Sequence, residues 1–384
     1  MGGTKPKSGL IINLLIFLVV IIICLVAAEV ILRLAWRGYN PQASGNPLMA
    51  YDDTLGWIGK PNAEELLIES CLSVPCRTNQ WGFRDDQPPP LEMVKDKRKI
   101  MFLGDSFIMG TGVTKEARVS ELLEQRDSTL ISYNFGIFGY STDQELLALK
   151  KFGPMIQPDD VFLFFCANDL IYNDSDLGHR VPKPHYRVLD DGSLELGNVP
   201  VPPLPEKSAF KNWLTNHFAL VQITNRILAQ VAYKKESERQ RPTAGDLGLE
   251  GVRGRRSDDL DSLVLFSSSS NISDLTFHLL KELKAESDRQ NARLTIFTTP
   301  SNHHWTATRE DTPAEIQRVL DWCAELGINL VDLFPRFHQD YLENNETLYL
   351  PDKMHWNERG NQVVAAVLME LLNESPNREI PADN

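Results

Sequence analysis

Ser106 stands in Gly104-Asp105-Ser106-Phe107, directly after the apolar run Lys99-Ile100-Met101-Phe102-Leu103. That order reads as a buried strand, a polar turn and the start of a helix. A serine at such a junction lies on the carboxyl edge of a sheet, where α/β proteins collect reactive groups. Its hydroxyl becomes a nucleophile only beside a general base, and the base needs a third group to hold its tautomer. Asp352-Lys353-Met354-His355, near the other end of the chain, supplies both. The chemistry these residues could carry is acyl transfer through a serine ester, by an esterase or an acyltransferase. It calls for no cofactor and no metal.

Two further blocks fall where such chemistry would use them. Asn134-Phe135-Gly136-Ile137-Phe138-Gly139-Tyr140-Ser141 follows a second apolar run, 131–135, and Cys166-Ala167-Asn168-Asp169 follows a third, 161–165. Taken singly, each block has a plainer reading. Gly-Asp-Ser is a common turn, Asn168-Asp169 could be a helix cap, Gly136 and Gly139 could be turn glycines, and His355 could pack beside Trp356. Their order and their strand context favour the catalytic reading.

The elements that must position these blocks alternate along the chain. Apolar strands are expected near 99–103, 131–135, 161–165, 293–297 and 328–332, with amphipathic helices near 116–126, 142–153, 273–291, 313–326 and 357–372. Continuous apolar strands alternating with helices predict an α/β fold, a three-layer α/β/α arrangement with a parallel sheet covered on both faces. A long insertion at about 170–291 interrupts the alternation. Its parts are a proline-rich stretch over 181–205, a helix-like spacing of Trp213, Phe218, Leu220, Ile223 and Ile227, and a polar, basic stretch over 234–261. That basic stretch reads first as a solvated loop, and otherwise as a patch for anionic lipid or polymer.

The four blocks together resemble the SGNH hydrolases, also called the GDSL family, over residues 99–372 without the insertion. Trp81-Gly82-Phe83-Arg84 and His355-Trp356-Asn357 look like the membrane-anchored, exported branch of that family. The resemblance implies Ser106 as nucleophile, His355 as base and Asp352 as its orienting acid. It implies an oxyanion hole from the backbone N–H groups of Ser106 and Gly136 and the side-chain amide of Asn168. Two positions depart from the pattern: Cys166 stands where the family usually has glycine, and Phe107 replaces the commoner leucine.

The amino terminus sets the compartment. Leu10 to Ala28 is nearly all apolar, and about 20 such residues cross a bilayer as helix. Lys5 and Lys7 precede it, which keeps the short tail cytoplasmic and exports the rest, although Arg33 and Arg37 follow it. A retained single-pass anchor is preferred over a signal peptide cleaved after Val26-Ala27-Ala28. Residues 1–37 are therefore tail and anchor, 38–98 an extended segment lying on the body, 99–376 the hydrolase-like domain and 377–384 a tail. The formal net charge of −13 argues against nucleic acid as a partner. Among five cysteines, Cys71 and Cys76 could close a disulfide outside the cytoplasm or stay free; Cys166 and Cys323 read as buried thiols. His303-His304 has no evident third ligand for a metal. Sequons begin at Asn173, Asn271, Asn345 and Asn373.

The expected function is removal or transfer of a small acyl group, acetyl before others, on a carbohydrate or lipid outside the cytoplasm, with the catalytic domain on the periplasmic side. The alternatives are a lipase or thioesterase of longer chains, with the Trp213–Phe218 region as a lid, and a non-catalytic glycan- or partner-binding protein of a cell-surface polysaccharide assembly. Protein partners are not legible.

Overall fold

The computed structural model describes residues 7–35, 48–69, 72–178, 181–203, 208–225, 227–228, 274–301, 314–351 and 354–374. The chain divides into two compact units. One comprises Met1–Asn46 and Glu206–Gly251; the other comprises Pro47–Pro205 and Val252–Asn384.

In the larger unit, five strands form a fully parallel sheet in the order 329–331, 293–298, 160–165, 98–103, 130–134. Counting all strands in chain order, these are β5 (Arg98–Leu103), β6 (Leu130–Asn134), β7 (Asp160–Phe165), β12 (Arg293–Thr298) and β13 (Asn329–Val331). All five occur where the apolar runs predict them. β6 pairs on one side of β5 and β7 on the other, so the winding reverses at β5. The crevice beyond the strand ends at such a reversal is where α/β folds place ligands.

Alternate side chains of each strand feed two cores. Met101 and Leu103 of β5, with Val161, Leu163 and Phe165 of β7, pack toward Thr142–Ile156, Leu275–Arg289 and Ala314–Leu326. Ile100 and Phe102, with Phe162 and Phe164, pack toward Val119–Arg126, Phe334–Asn344 and Glu358–Glu374. The sheet is thus covered on both faces, and the three-layer α/β/α fold expected from the sequence is present.

The described residues between 48 and 98 differ from an extended segment. They form two antiparallel hairpins, β1 (Met49–Asp52) with β2 (Gly56–Gly59) and β3 (Glu64–Glu69) with β4 (Leu72–Arg77). Cys76 is a free, buried thiol on β4. Cys71 lies outside the described residues. The first part of the insertion is also structured, as two short hairpins, β8 (Leu177–Gly178) with β9 (Val181–Pro182) and β10 (His185–Val188) with β11 (Leu194–Gly197). Lys183, on the link between them, is fully buried in an ion pair with Asp143. Asn173 is equally buried, accepting from the Asp143 N–H (3.3 Å) and donating to the Thr276 hydroxyl (3.0 Å), so its sequon is closed to glycosylation in the folded state.

The smaller unit contains α1 (Lys7–Ala35), whose segment Ile11–Ala35 has a mean hydropathy of 3.3 and is long enough to cross a membrane. It also contains the helix Ala209–His217, followed by helical backbone over 219–225. The Trp213 region therefore groups with the apolar helix and not with the sheet. The basic stretch 234–261, Asn271 and His303-His304 lie outside the described residues.

Candidate active site

Ser106 opens the four-residue helix Ser106–Met109 at the carboxyl end of β5. Its Oγ lies 2.8 Å from His355 Nε2, and both side chains are buried. The sequence separates these residues by most of the domain; the sheet brings them together. Asp352 lies outside the described residues.

The histidine loop is held from several sides. Tyr349 and Trp356 form a β-bridge, and the Leu350 N–H donates to the His355 carbonyl at 2.8 Å. Trp356 Nε1 and the Tyr349 hydroxyl both donate to the Pro300 carbonyl just beyond β12, at 2.9 and 3.3 Å. Phe107 packs on both His355 and Trp356, with ring centroids 5.3 and 5.0 Å away. The aromatic at 107 thus forms one wall of the histidine's seat.

Asp105, between the glycine and the serine, caps the short helix by accepting from the Phe107 N–H at 2.9 Å. It also hydrogen-bonds the Asn168 side chain and faces the charge of His355. Burial dominates these contacts and pushes its carboxyl up to about 6. Since an acid oxygen only accepts when ionised, the Asn168 amide must donate an N–H to it. The Asn168 carbonyl oxygen is buried with no partner among the described residues.

The loop after β6 runs beside the nucleophile strand, with the Phe135 N–H on the Phe102 carbonyl (2.9 Å) and the Ile137 N–H on the Gly104 carbonyl (3.2 Å). Gly136 sits against the serine helix itself. A Cβ there would lie 2.3 Å from the Met109 nitrogen and 2.6 Å from the Ile108 carbonyl carbon. Its N–H donates to Asn134 Oδ1 at 3.0 Å and is already engaged. Gly139 differs. It is buried, has φ +72°, and its N–H has no acceptor among the described residues. Trp57 fixes this turn, donating from Nε1 to the Phe138 carbonyl (2.9 Å) and accepting the Tyr140 hydroxyl on its own carbonyl (2.7 Å). The Ser106 N–H is likewise without a protein acceptor. Both glycines were in view in the sequence; nothing local tells which one keeps its N–H open.

Cys166 is buried in the core that holds Phe102 and Phe107, and burial drives its thiol well above the usual range. It leaves a side chain beneath the site that is neither exposed nor ionised. Below Asn168 lies an acidic cluster that sequence reasoning did not single out. Asp169 accepts from the Cys166 N–H at 3.0 Å, and both carboxyl oxygens of Glu145 are buried without partners among the described residues. Burial first, then the neighbouring Asp169, Asp105 and Asp143 charges, hold the Glu145 carboxyl well above the usual range.

The far end of the serine helix is clamped by Arg84, of the Trp81-Gly82-Phe83-Arg84 stretch. Its guanidinium donates to the carbonyls of Met109 (3.2 Å), Gly110 (2.6 Å), Val113 (2.9 Å) and Pro75 (3.2 Å). Arg118 adds bonds to the Arg84 and Met109 carbonyls and pairs with Glu121. Burial and the Arg118 charge lower Arg84 to about 10, which leaves it charged at neutral pH.

No family model matches the chain, and no curated protein matches it. Solved structures do. A lipase/acylhydrolase from Enterococcus faecalis is 14% identical with a TM-score of 0.38, covering 73% of this chain and 99% of that one. The psychrotrophic esterase EstA from Pseudoalteromonas sp. is 12% identical with a TM-score of 0.37, covering 72% and 98%. An acetyl xylan esterase, AlAXEase, is 15% identical with a TM-score of 0.37, covering 71% and 99%. In this chain the parallel sheet and its flanking helices form a three-layer α/β/α fold, in which Ser106, Gly136 and Asn168 follow the carboxyl ends of β5, β6 and β7 and His355 meets Ser106.

Proposed function

We propose that this chain is a serine hydrolase or acyltransferase that works through an acyl-enzyme on Ser106. The observation that carries the proposal is the 2.8 Å contact of Ser106 Oγ with His355 Nε2, with the Ser106 N–H left without an acceptor among the described residues. His355 takes the serine proton as Oγ attacks an acyl carbonyl, then returns it to the leaving alcohol. Asp352 orients the imidazole. Water, or the hydroxyl of an acceptor, resolves the ester in a second cycle of the same proton transfers.

The tetrahedral oxyanion needs donors placed before it forms. The Ser106 N–H and the Asn168 amide serve as the resemblance implies. Gly139 supplies the third donor in place of Gly136, whose N–H is spent on Asn134. Asp105 takes one N–H of the Asn168 amide and thereby aims the other.

The substrate is a small acyl ester, acetyl before others, on a carbohydrate or lipid outside the cytoplasm. This rests on the motif resemblance and on the charge pattern around α1, with Lys5 and Lys7 ahead of the apolar segment. α1 is read as a retained anchor, with the catalytic unit on the extracytoplasmic side.

The test is intact mass after exposure to a fluorophosphonate, on the whole chain in detergent, compared with His355→Ala. One adduct mapped to Ser106, and lost in the variant, is expected. Folded protein that takes no adduct would remove the nucleophile from the proposal.

A further inference from the structure

The helix Ala209–His217 does not behave like a lid or a solvated insertion. It is bound to α1 at a defined level. The Glu29 carboxylate accepts the backbone N–H groups of Ala219 (2.8 Å) and Leu220 (3.0 Å), the first donors of the helical stretch 219–225. Arg33 bridges the same joint, with Nε on Glu29 at 2.6 Å and Nη2 on the His217 carbonyl. On α1 the partly covered side chains around this joint are Ala28, Glu29 and Leu32, one stripe of the helix.

The level of the joint is set by geometry. From Ile11 to Glu29 a helix rises about 27 Å at 1.5 Å per residue, close to the hydrocarbon thickness of a bilayer. If α1 spans, Glu29 and Arg33 stand where the chain leaves the hydrocarbon, the depth at which charged groups and helix ends must be paired. At that depth the helix presents Phe210 (66% exposed) and Trp213 (48% exposed), with rings stacked 6.1 Å apart. Trp213 also stacks on His217 at 5.1 Å and meets Phe218 edge-on at 5.6 Å. Phe210, Trp213 and Leu214 share one face by their spacing, while Lys211, Asn212, Thr215 and Asn216 occupy the rest. Further along, Ile227 and Leu228 are exposed as well.

We propose that residues 209–228 are a second membrane contact, in which the Phe210–Trp213 face lies in the interfacial layer of the bilayer beside the exit of α1. The occupant is phospholipid at the level where headgroups meet acyl chains. An amphipathic helix with a tryptophan is stable there because its ring is apolar while its N–H stays wet. Continuity with α1 favours lipid over a second protein copy as the cover, since Glu29 and Arg33 hold the helix at the membrane boundary whatever else binds. The inference rests on α1 spanning the bilayer.

The experiment uses the full chain in phosphatidylcholine vesicles brominated at acyl positions 6,7 or 11,12. Trp213→Phe is run alongside, so that the difference isolates Trp213 fluorescence from the other tryptophans. Extraction with alkaline carbonate is done on the same vesicles. The expected result is a chain that resists carbonate and a Trp213 component quenched by about half or more on the shallow bromines, and less on the deep ones. A chain that resists carbonate but shows an unquenched Trp213 overturns the interfacial helix and leaves the anchor standing; cover by another protein copy falls under this outcome. A chain that carbonate releases overturns both, through the anchor.

Discussion

The two ends of the helix Ser106–Met109 are built on opposite rules. At its carboxyl end every carbonyl that could be left open is taken. Ile108 accepts from Asn134 Nδ2 at 2.8 Å, Met109 and Gly110 accept from Arg84, and the Gly110 and Thr111 N–H groups close on Phe107 and Ser106. At its amino end the Ser106 N–H has no acceptor among the described residues, and neither has the Gly139 N–H, in the loop that Ile137 joins to Gly104. Buried backbone groups are normally paired, so an unpaired pair beside a histidine-bonded serine marks where a ligand atom completes the set. The closed end makes the open end affordable: a turn anchored by a guanidinium can hold donors still for chemistry.

The comparison is broken most severely at the closed end. Arg84→Ala removes a charged donor from four carbonyls, of which Met109 keeps a 3.4 Å bond from Arg118 and Gly110 a 3.3 Å bond from the Val113 N–H, and empties a buried site beside Arg118, so a stability loss of about 3–5 kcal/mol is expected. At about 2–4 °C per kcal/mol, thermal unfolding should move down by roughly 10 °C. Arg84→Lys should recover little, because one ammonium cannot reach all four carbonyls. A melting temperature unchanged in Arg84→Ala would mean the clamp is ornamental.

At the open end the pattern should invert. Asn168→Ala is expected to slow fluorophosphonate labelling, or ester turnover, by about 10²–10³. Its melting temperature should fall by only about 5 °C, because the change costs the bond to Asp105 while the amide's carbonyl oxygen already lacks a partner among the described residues. If Asn168→Ala lost stability and kept its rate, the two ends would not differ in the way described.

The smallest effect sharpens the link between them. The Asp105 carboxyl is pushed up to about 6 by burial. Between its ordinary value of 3.8 and about 6 the folded state holds a proton that the unfolded chain has lost. Stability therefore falls as pH rises through that window and stays lower above it. Asp105→Asn removes the penalty, so it should melt several degrees higher than the wild type at pH 7.5 and nearly together with it at pH 4. Turnover at pH 7.5 should fall about tenfold, since the charge facing His355 and the acceptor for Asn168 are both lost. Equal melting temperatures at both pH values would show that the carboxyl is not strained.

Much of this was legible in the chain. All five strands of the sheet and five of the amphipathic helices follow from apolar runs and periodicity, because burial on one or two faces is a local demand written into consecutive residues. The order of the serine, glycine, asparagine and histidine blocks is a linear property as well, and so is the length of the apolar segment near the amino terminus. Elements whose burial depends on a distant surface were missed. The helix Phe334–Asn344 has only Phe334 and Phe337 fully buried, and the hairpins over 47–77 and 177–197 have strands of two to six residues. Neither carries a periodic signal long enough to read.

What only the tertiary structure decided is which polar groups are spent and which stay open. Gly136 and Gly139 are three residues apart in one loop, yet Asn134 closes the first N–H and nothing closes the second. Arg84 belongs to a stretch that the sequence marks out, yet only the fold shows its guanidinium spent on the serine turn, and only the fold brings Lys183 to Asp143 forty residues away. Trp213 has a helix-like spacing, and only the fold shows its segment bonded to Glu29 and Arg33 through His217, Ala219 and Leu220. The reason is common to all of them. Periodicity records that a residue must leave water, whereas a hydrogen bond or an ion pair needs a particular partner, and that partner is supplied by chain folding back from elsewhere.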